Sequence, residues 1–264
     1  VKQNITRLQE SFDKLAADYD EITADFAHFV CEYVTKANLG DFLKRHTFSH
    51  ILEAGAGTGK WTAFLHSFCR DVTLLDISGE SLKIAAQKHK RLPLRIIRGN
   101  IEETDFSDNE FDFICAEGGV ISYTPGPVRM IKEIHRVLKE NGYAWIDFYN
   151  SLGWAFEYHG IDFKIETALA DERLIRMPDW DYPARTFLPH HLAGLLTEHG
   201  FAITGFFANG ILLNSFSIKE KEATGFDREQ AEKLREIELW LSREAGYYNS
   251  SLACRFLVKK TAGN

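Results

Sequence analysis

The stretch ILEAGAGTGKWT, residues 51–62, places glycines at positions 55, 57 and 59 and follows them with a lysine. A phosphate-cradling loop of the form G-x-x-x-x-G-K-[ST] fails here. With Gly59 and Lys60 in register, the first glycine position is Ala54, and Trp61 stands where a hydroxyl would meet magnesium. The dinucleotide fingerprint G-x-G-x-x-G fails by one residue, because the third glycine arrives early. That fingerprint sets a pyrophosphate on a helix N-terminus. The tighter G-x-G-x-G turn still brings backbone close to a ligand, and it suits a nucleoside whose 5' carbon carries something smaller.

Outward from this turn, the chain alternates between two periods. Residues 5–46 recur at helical spacing through Leu8, Phe12, Leu15, Ile22, Phe26, Phe29 and Tyr33. Then come short apolar runs, predicted as buried strands, at HILEAG, DVTLLDIS, PLRIIRGN, FDFICAEGG and YAWIDFYN. Helices are predicted between them over 58–69, 79–90 (capped by Ser78) and 127–142, the last with Pro127 near its start and Gly142 at its end. Strands alternating with helices imply a parallel, doubly wound α/β core over residues 48–150. Residues 151–186 break the pattern with an aromatic-rich insertion. A helix at 188–200, a strand at 201–210, a charged amphipathic helix over 226–245 and a closing strand SLACRFLVKK follow.

Three further stations fall at the carboxyl ends of predicted strands, where open α/β sheets bind ligands. Asp76 lies 17 residues past Gly59, near the offset of about 20 at which an acid meets ribose hydroxyls in such folds. A carboxylate can accept from both hydroxyls of a diol. Asn100 can accept from an adenine amino group, with the Ile101 N–H reaching a ring nitrogen. Glu117-Gly118-Gly119 permits close approach of a ligand. Each has a plainer reading. Glu53 or Asp76 could cap the following helix, Asn100 could make an Asx turn, Trp61 could be packing, and Lys60 could be solvated.

The bulk properties narrow the field. A net charge of -7 without a basic stripe argues against a nucleic-acid substrate. The four dispersed cysteines read as free thiols in a reducing cytoplasm. The polar N-terminal residues read as a helix rather than a signal peptide, and no apolar run reaches membrane-spanning length. The ten histidines show no metal-ligand spacing, so no metal is expected.

The chain resembles the class I S-adenosylmethionine-dependent methyltransferases, and within them the group containing ubiquinone and menaquinone methyltransferases. The resemblance rests on FDKLAADYDEI at 12–22, EAGAGTG at 53–59, LLDIS at 74–78, GNIEETDF at 99–106, FDFICAEGGVISY at 111–123 and EIHRVLKENGYAWIDF at 133–148. It implies a Rossmann-like, mostly parallel seven-stranded sheet with N-terminal helices and an inserted cap. Residues 1–47 would close over the cofactor and 48–150 would hold it. Residues 151–190 and 211–248 would shape an acceptor-binding cap, and 191–210 with 249–264 would complete the sheet. The implied cofactor is S-adenosyl-L-methionine, leaving as S-adenosyl-L-homocysteine. Glu53 would face the methionine amino group, and Gly55, Ala56, Gly57 and Gly59 would let backbone approach the methionine and ribose. Asp76 would hold the ribose diol, with Ile77 packed on adenine and Asn100 and Ile101 on its edge. Glu117 would offer its backbone carbonyl beside Gly118, and Tyr19 would close over the top. Acceptor-side candidates are Tyr123 and His159 as catalytic groups, with Tyr149, Asn150, Asp179, Trp180 and Tyr182 around them. His159 is a candidate base because an unperturbed imidazole titrates near neutrality. The expected activity is methyl transfer to a small organic molecule. The rival readings are an NAD-dependent oxidoreductase and a non-catalytic S-adenosylmethionine-binding module.

Overall fold

The computed structural model describes residues 2–154, 172–175, 181–216, 220 and 223–261. Three helices, α1 (Lys2–Leu15), α2 (Tyr19–Ile22) and α3 (Phe26–Leu43), precede the sheet. There follow β1 (Ile51–Ala54), α4 (Thr62–His66), β2 (Val72–Asp76), α5 (Gly79–Lys88), β3 (Arg95–Arg98), β4 (Phe111–Ala116), α6 (Val120–Tyr123), α7 (Pro127–Val137) and β5 (Leu138–Asn150). The chain continues with β6 (Glu172–Ile175), β7 (Ala184–Phe187), α8 (Pro189–Glu198), β8 (Phe201–Asn209), α9 (Arg228–Leu241) and β9 (Ala253–Lys260).

Strands β3-β2-β1-β4-β5 lie side by side and parallel. β9 runs antiparallel between β5 and β8. These seven strands are the predicted Rossmann-like sheet. Two more, the β6–β7 hairpin from the aromatic-rich insertion, extend it where β7 pairs with the last two residues of β5.

The central strands are mostly apolar because both faces are covered. Their alternation assigns successive residues to opposite layers. Leu52, Ala54, Ile114, Ala144 and Ile146 pack with Met130, Ile131 and Ile134 of α7 and Leu192 and Leu196 of α8. Ile51, Phe113, Cys115 and Trp145 pack with Leu39, Phe42 and Leu43 of α3, Leu65 of α4 and Leu82 of α5. Trp61 belongs to this second layer, so its role is packing.

Two element boundaries differ from expectation. The first core helix is short, Thr62–His66, because the left-handed backbone at Gly57 and Gly59 keeps residues 57–61 out of the helix. The helix predicted over 127–142 ends at Val137. Leu138 is already extended, pairs with Phe111 and is fully buried. Asn141, at φ 62, then turns the chain inside the long strand. Tertiary pairing overrides the helical propensity of Leu-Lys-Glu here.

Candidate active site

The strand order reverses between β1 and β4, and a cleft of about 750 Å³, open solvent at its mouth included, lies there beyond their carboxyl ends. That is the position and size expected of a small-ligand site in an open α/β sheet. The structure brings together in its wall Tyr19, Gly55, Gly57, Asp76, Ile77, Asn100, Ile101, Glu117, Gly118 and Tyr123. Glu53, Ala56 and Gly59 stand behind that wall. His159, Asp179 and Trp180 lie outside the described residues.

The glycine turn is built by β1 and β2 together. The N–H groups of Gly55 and Ala56 both donate to the Leu75 carbonyl, at 2.8 and 3.0 Å. Gly55, Gly57 and Gly59 all have positive φ, so the alternate-residue spacing reflects three left-handed positions in one turn. A Cβ on Gly55 would collide with Val120, and one on Gly59 with His89. A Cβ on Gly57 or on Gly118 would meet nothing within 4 Å, so the backbone at both faces open space.

Asp76 is the hub of the cleft. Its Oδ2 accepts from the Gly57 N–H and its Oδ1 from the Ser78 N–H, each at 2.7 Å. Ser78, not Asp76, caps α5, its Oγ accepting from the Ser81 N–H. A carboxylate has about four acceptor positions, so two remain for a diol. Burial pushes Asp76 up to about 6 from its ordinary 3.8. Glu53 is buried, accepts from Thr62 Oγ1 at 2.7 Å, and is pushed by burial up to about 8. Its other oxygen, Oε1, is buried and has no hydrogen-bond partner among the described residues. That combination suits an ammonium group.

Asn100 makes the Asx turn, its Oδ1 accepting from the Glu102 N–H at 3.1 Å, and also lines the cleft. Glu102 is buried and ties this turn to the loop after α6, accepting from Thr124 Oγ1, the Gly126 N–H and Arg129. The Glu117 side chain turns away from the cleft toward Trp145 Nε1 and Arg255.

Helices α1 and α2 border the cleft and are pinned at two points. Asp13 accepts from Ser78 Oγ at 2.7 Å and from the Glu80 N–H at 3.2 Å. Asp20 accepts from Thr58 Oγ1 at 2.7 Å and from Lys88 Nζ at 2.8 Å. Lys60 is not free in solvent; its Nζ lies 3.3 Å from Glu32 and donates to the Thr23 carbonyl. Leu8, Phe12 and Tyr19 of these two helices line the cleft. Burial, and then the charge of Asp76 and Asp20, push the Tyr19 phenol up to about 12.

Beside the cleft, Leu8, Tyr123, Ile175, Tyr182 and Ala184 form an apolar cluster, with Phe12, Tyr149 and Trp154 packed on it. The Tyr123 and Tyr149 hydroxyls lie 3.3 Å apart. Burial raises the Tyr123 phenol well above its ordinary range, so it holds its proton at neutral pH. Asn150 points elsewhere, its amide donating to the carbonyls of Tyr248 and Ser251. Sequence reasoning missed Asp13, Asp20, Glu102, Asp147 and Arg255. The last two carried a signal, since a charged residue inside an apolar strand run implies a buried partner.

Residues 52–146 match the model of the family described as "Methyltransferase domain". The chain is 31% identical over 161 residues to a phosphatidylethanolamine N-methyltransferase of Cereibacter sphaeroides, covering 50% of this chain and 76% of that one. It is 32% identical over 150 residues to a demethylmenaquinone methyltransferase of Lactococcus lactis, covering 53% and 58%. Across the first curated relatives the chain spans between 26% and 76% of their length. Among solved structures, the 1,6-didemethyltoxoflavin-N1-methyltransferase of Burkholderia thailandensis, bound to 1,6-didemethyltoxoflavin and S-adenosylhomocysteine, shares the fold. Its TM-score is 0.57 at 19% identity, over 97% of this chain and 88% of that one. Neither the oxidoreductase nor the non-catalytic reading gains support from these likenesses. With the switch-point cleft, the left-handed glycine turn and the Asp76 carboxylate in the cleft wall already described, they lead to one statement: the chain belongs to the class I S-adenosylmethionine-dependent methyltransferases.

Proposed function

We propose that this protein transfers a methyl group from S-adenosylmethionine to a small organic acceptor by in-line displacement. The observation that carries the reading is the convergence on one cleft of Asp76 and the open-facing backbones of Gly57 and Gly118. When bound, the cofactor supplies a methyl group already activated on sulfur. The chain's contribution is chiefly alignment, which can supply roughly 7–11 kcal/mol of a barrier. Asp76 holds the ribose diol, Ile77 packs on adenine, Asn100 and Ile101 meet its edge, and Glu53 and the Glu117 carbonyl receive the ammonium group. The cluster around Tyr123, Phe12 and Tyr182 forms the acceptor wall, and its apolar character favours a small, mostly apolar acceptor over a nucleic acid. Tyr123 donates a hydrogen bond there rather than acting as a base. Four free cysteines support a reducing, cytoplasmic setting. Among the described residues no helix is long and apolar enough to cross a membrane.

Calorimetric titration with S-adenosylmethionine and S-adenosylhomocysteine, against NAD and ATP, tests the cofactor reading. Micromolar binding of the sulfur nucleosides alone is expected, and binding of NAD or ATP instead would overturn it. The same titration tests Glu53. Its carboxyl, pushed up to about 8, holds a proton at pH 7 in the free protein. An ammonium group at Oε1 favours the ionised form and pulls that value down, so binding releases up to about one proton at pH 7. Affinity therefore rises with pH up to about 8. Heats measured in two buffers of different ionisation enthalpy should differ for the wild type and coincide for Glu53→Gln. Equal heats for the wild type would remove Glu53 from the ammonium site.

A further inference from the structure

Behind the methionine-side wall of the cleft lies a buried charge cluster drawn from three strands. Arg255 of β9 is 6% exposed, Glu117 after β4 is 7% and Asp147 of β5 is 2%. Arg255 Nη2 donates to Glu117 Oε1 at 2.6 Å and lies 3.4 Å from Asp147 Oδ1. Asp147 Oδ2 accepts from the N–H groups of both Gly118, at 3.1 Å, and Gly119, at 2.8 Å. Those two glycines are consecutive left-handed residues, at φ 98 and 74. The turn that exposes the Gly118 backbone to the cleft is therefore held by a carboxylate, and the charge beside that carboxylate is Arg255, which hydrogen-bonds Glu117 and meets Asp147 Oδ1 as an ion pair without a hydrogen bond.

We infer that Arg255 is a positioning residue for the cofactor: it balances Glu117 and Asp147 so that Asp147 can hold the Gly118–Gly119 turn in its ligand-facing conformation. The inference rests on the cofactor cleft proposed above. It concerns two residues, Asp147 and Arg255, that lie beyond the segment matching the family model.

The charge balance gives the inference its content. Two carboxylates share one guanidinium, and among the described residues no other cation pairs with either. The remaining groups that face the cluster cannot replace the guanidinium. Cys115 of β4 and Tyr149 of β5 are both raised by burial and stay neutral. Cys254 of β9 and Cys31 of α3 are raised likewise, and the Tyr19 phenol lies on the cleft side. Glu238 of α9, beyond Cys31, adds only negative charge. Burial already pushes Asp147 up, against the pull of Arg255. Without the guanidinium, two adjacent buried carboxylates cannot both stay ionised, and one takes up a proton. Raising the pH then forces the charge back at growing cost.

The test is calorimetric titration of S-adenosylmethionine from pH 6 to 9 with wild type, Arg255→Met and Arg255→Lys, each with a thermal melt. In Arg255→Met the dissociation constant is expected to rise roughly tenfold or more at neutral pH. Its ratio to the wild-type value should grow with pH. Arg255→Lys restores the charge without the forked geometry, so part of the affinity loss remains but the ratio no longer varies with pH. A folded Arg255→Met whose ratio stays near one, or stays constant with pH, overturns the inference. If Arg255→Met does not fold, Arg255→Met/Asp147→Asn removes the surplus charge and should fold, with a pH-independent ratio. Failure of that double variant to fold would mark Arg255 as needed for packing and overturn its positioning role. No binding by the wild type would remove the cofactor reading itself, whereas wild-type binding with unaltered Arg255→Met removes this inference alone.

Discussion

In Asp76→Ala the dissociation constant for S-adenosylmethionine is expected to rise by roughly 100-fold, since two hydrogen bonds to a charged group are lost at about 1.5 kcal/mol or more each. The loss has a second source. Asp76 Oδ2 is also the acceptor for the Gly57 N–H, so alanine removes a tether of the glycine turn along with the ribose contact. Asp76→Asn keeps the shape and one acceptor oxygen, and its loss should be smaller, about tenfold. A pH series adds an independent check. The carboxyl sits at about 6 rather than 3.8, and its ionised form accepts from the diol, so wild-type affinity declines as pH falls through about 6. Asp76→Asn should lack that decline. Unchanged affinity in Asp76→Ala, measured by calorimetry, would take Asp76 out of the ribose site.

The largest stability effect is expected far from the cleft, in Glu238→Leu. Glu238 of α9 is fully buried and accepts from three consecutive backbone N–H groups: Ile211 at 3.1 Å, Leu212 at 2.6 Å and Leu213 at 3.2 Å. These are the donors at the start of the 3-10 turn Leu212–Ser215, and no other hydrogen bond reaches them in the described structure. Leucine fills the volume but leaves three donors unsatisfied, two of them buried and the Leu212 N–H partly buried, at about 1–3 kcal/mol for each that finds no water. A loss of about 3–5 kcal/mol in urea unfolding is expected, enough to threaten a marginally stable domain. Glu238→Gln keeps a carbonyl acceptor and should lose less than half as much. A loss below about 1 kcal/mol in Glu238→Leu would show that the turn re-solvates without cost.

What the sequence makes legible depends on whether the physics is local. The glycine spacing, Asp76 and the Ser78 cap are fixed by residues close in the chain, so pattern alone locates them. The end of α7 is not local. Leu138 leaves the helix because Phe111, 27 residues earlier, pairs with it. Arg255 is more remote still. Its partner Glu117 lies 138 residues away, and nothing in either segment names the other. Lys60 looked solvated because Glu32 and Thr23 come from helices whose placement only the fold determines. Asn100 shows that two readings can be compatible, since one amide makes the Asx turn and still lines the cleft. The aromatic insertion was recognisable as an irregular segment, but its pairing of β7 with the end of β5 needed the sheet to be present.

Leu8 and Phe12 belong both to the cofactor cleft and to the apolar cluster around Tyr123 and Tyr182. On the proposed reading, one piece of α1 is a wall for donor and acceptor alike. Any movement of α1 that frees the nucleoside also dismantles the acceptor's seat. Turnover should therefore follow a compulsory sequence in which the sulfur nucleoside enters first and departs last. Steady-state product inhibition reads this directly. The methylated product should act as a mixed inhibitor toward both S-adenosylmethionine and the acceptor, whereas competition of that product with the acceptor would mean that the two seats fill independently.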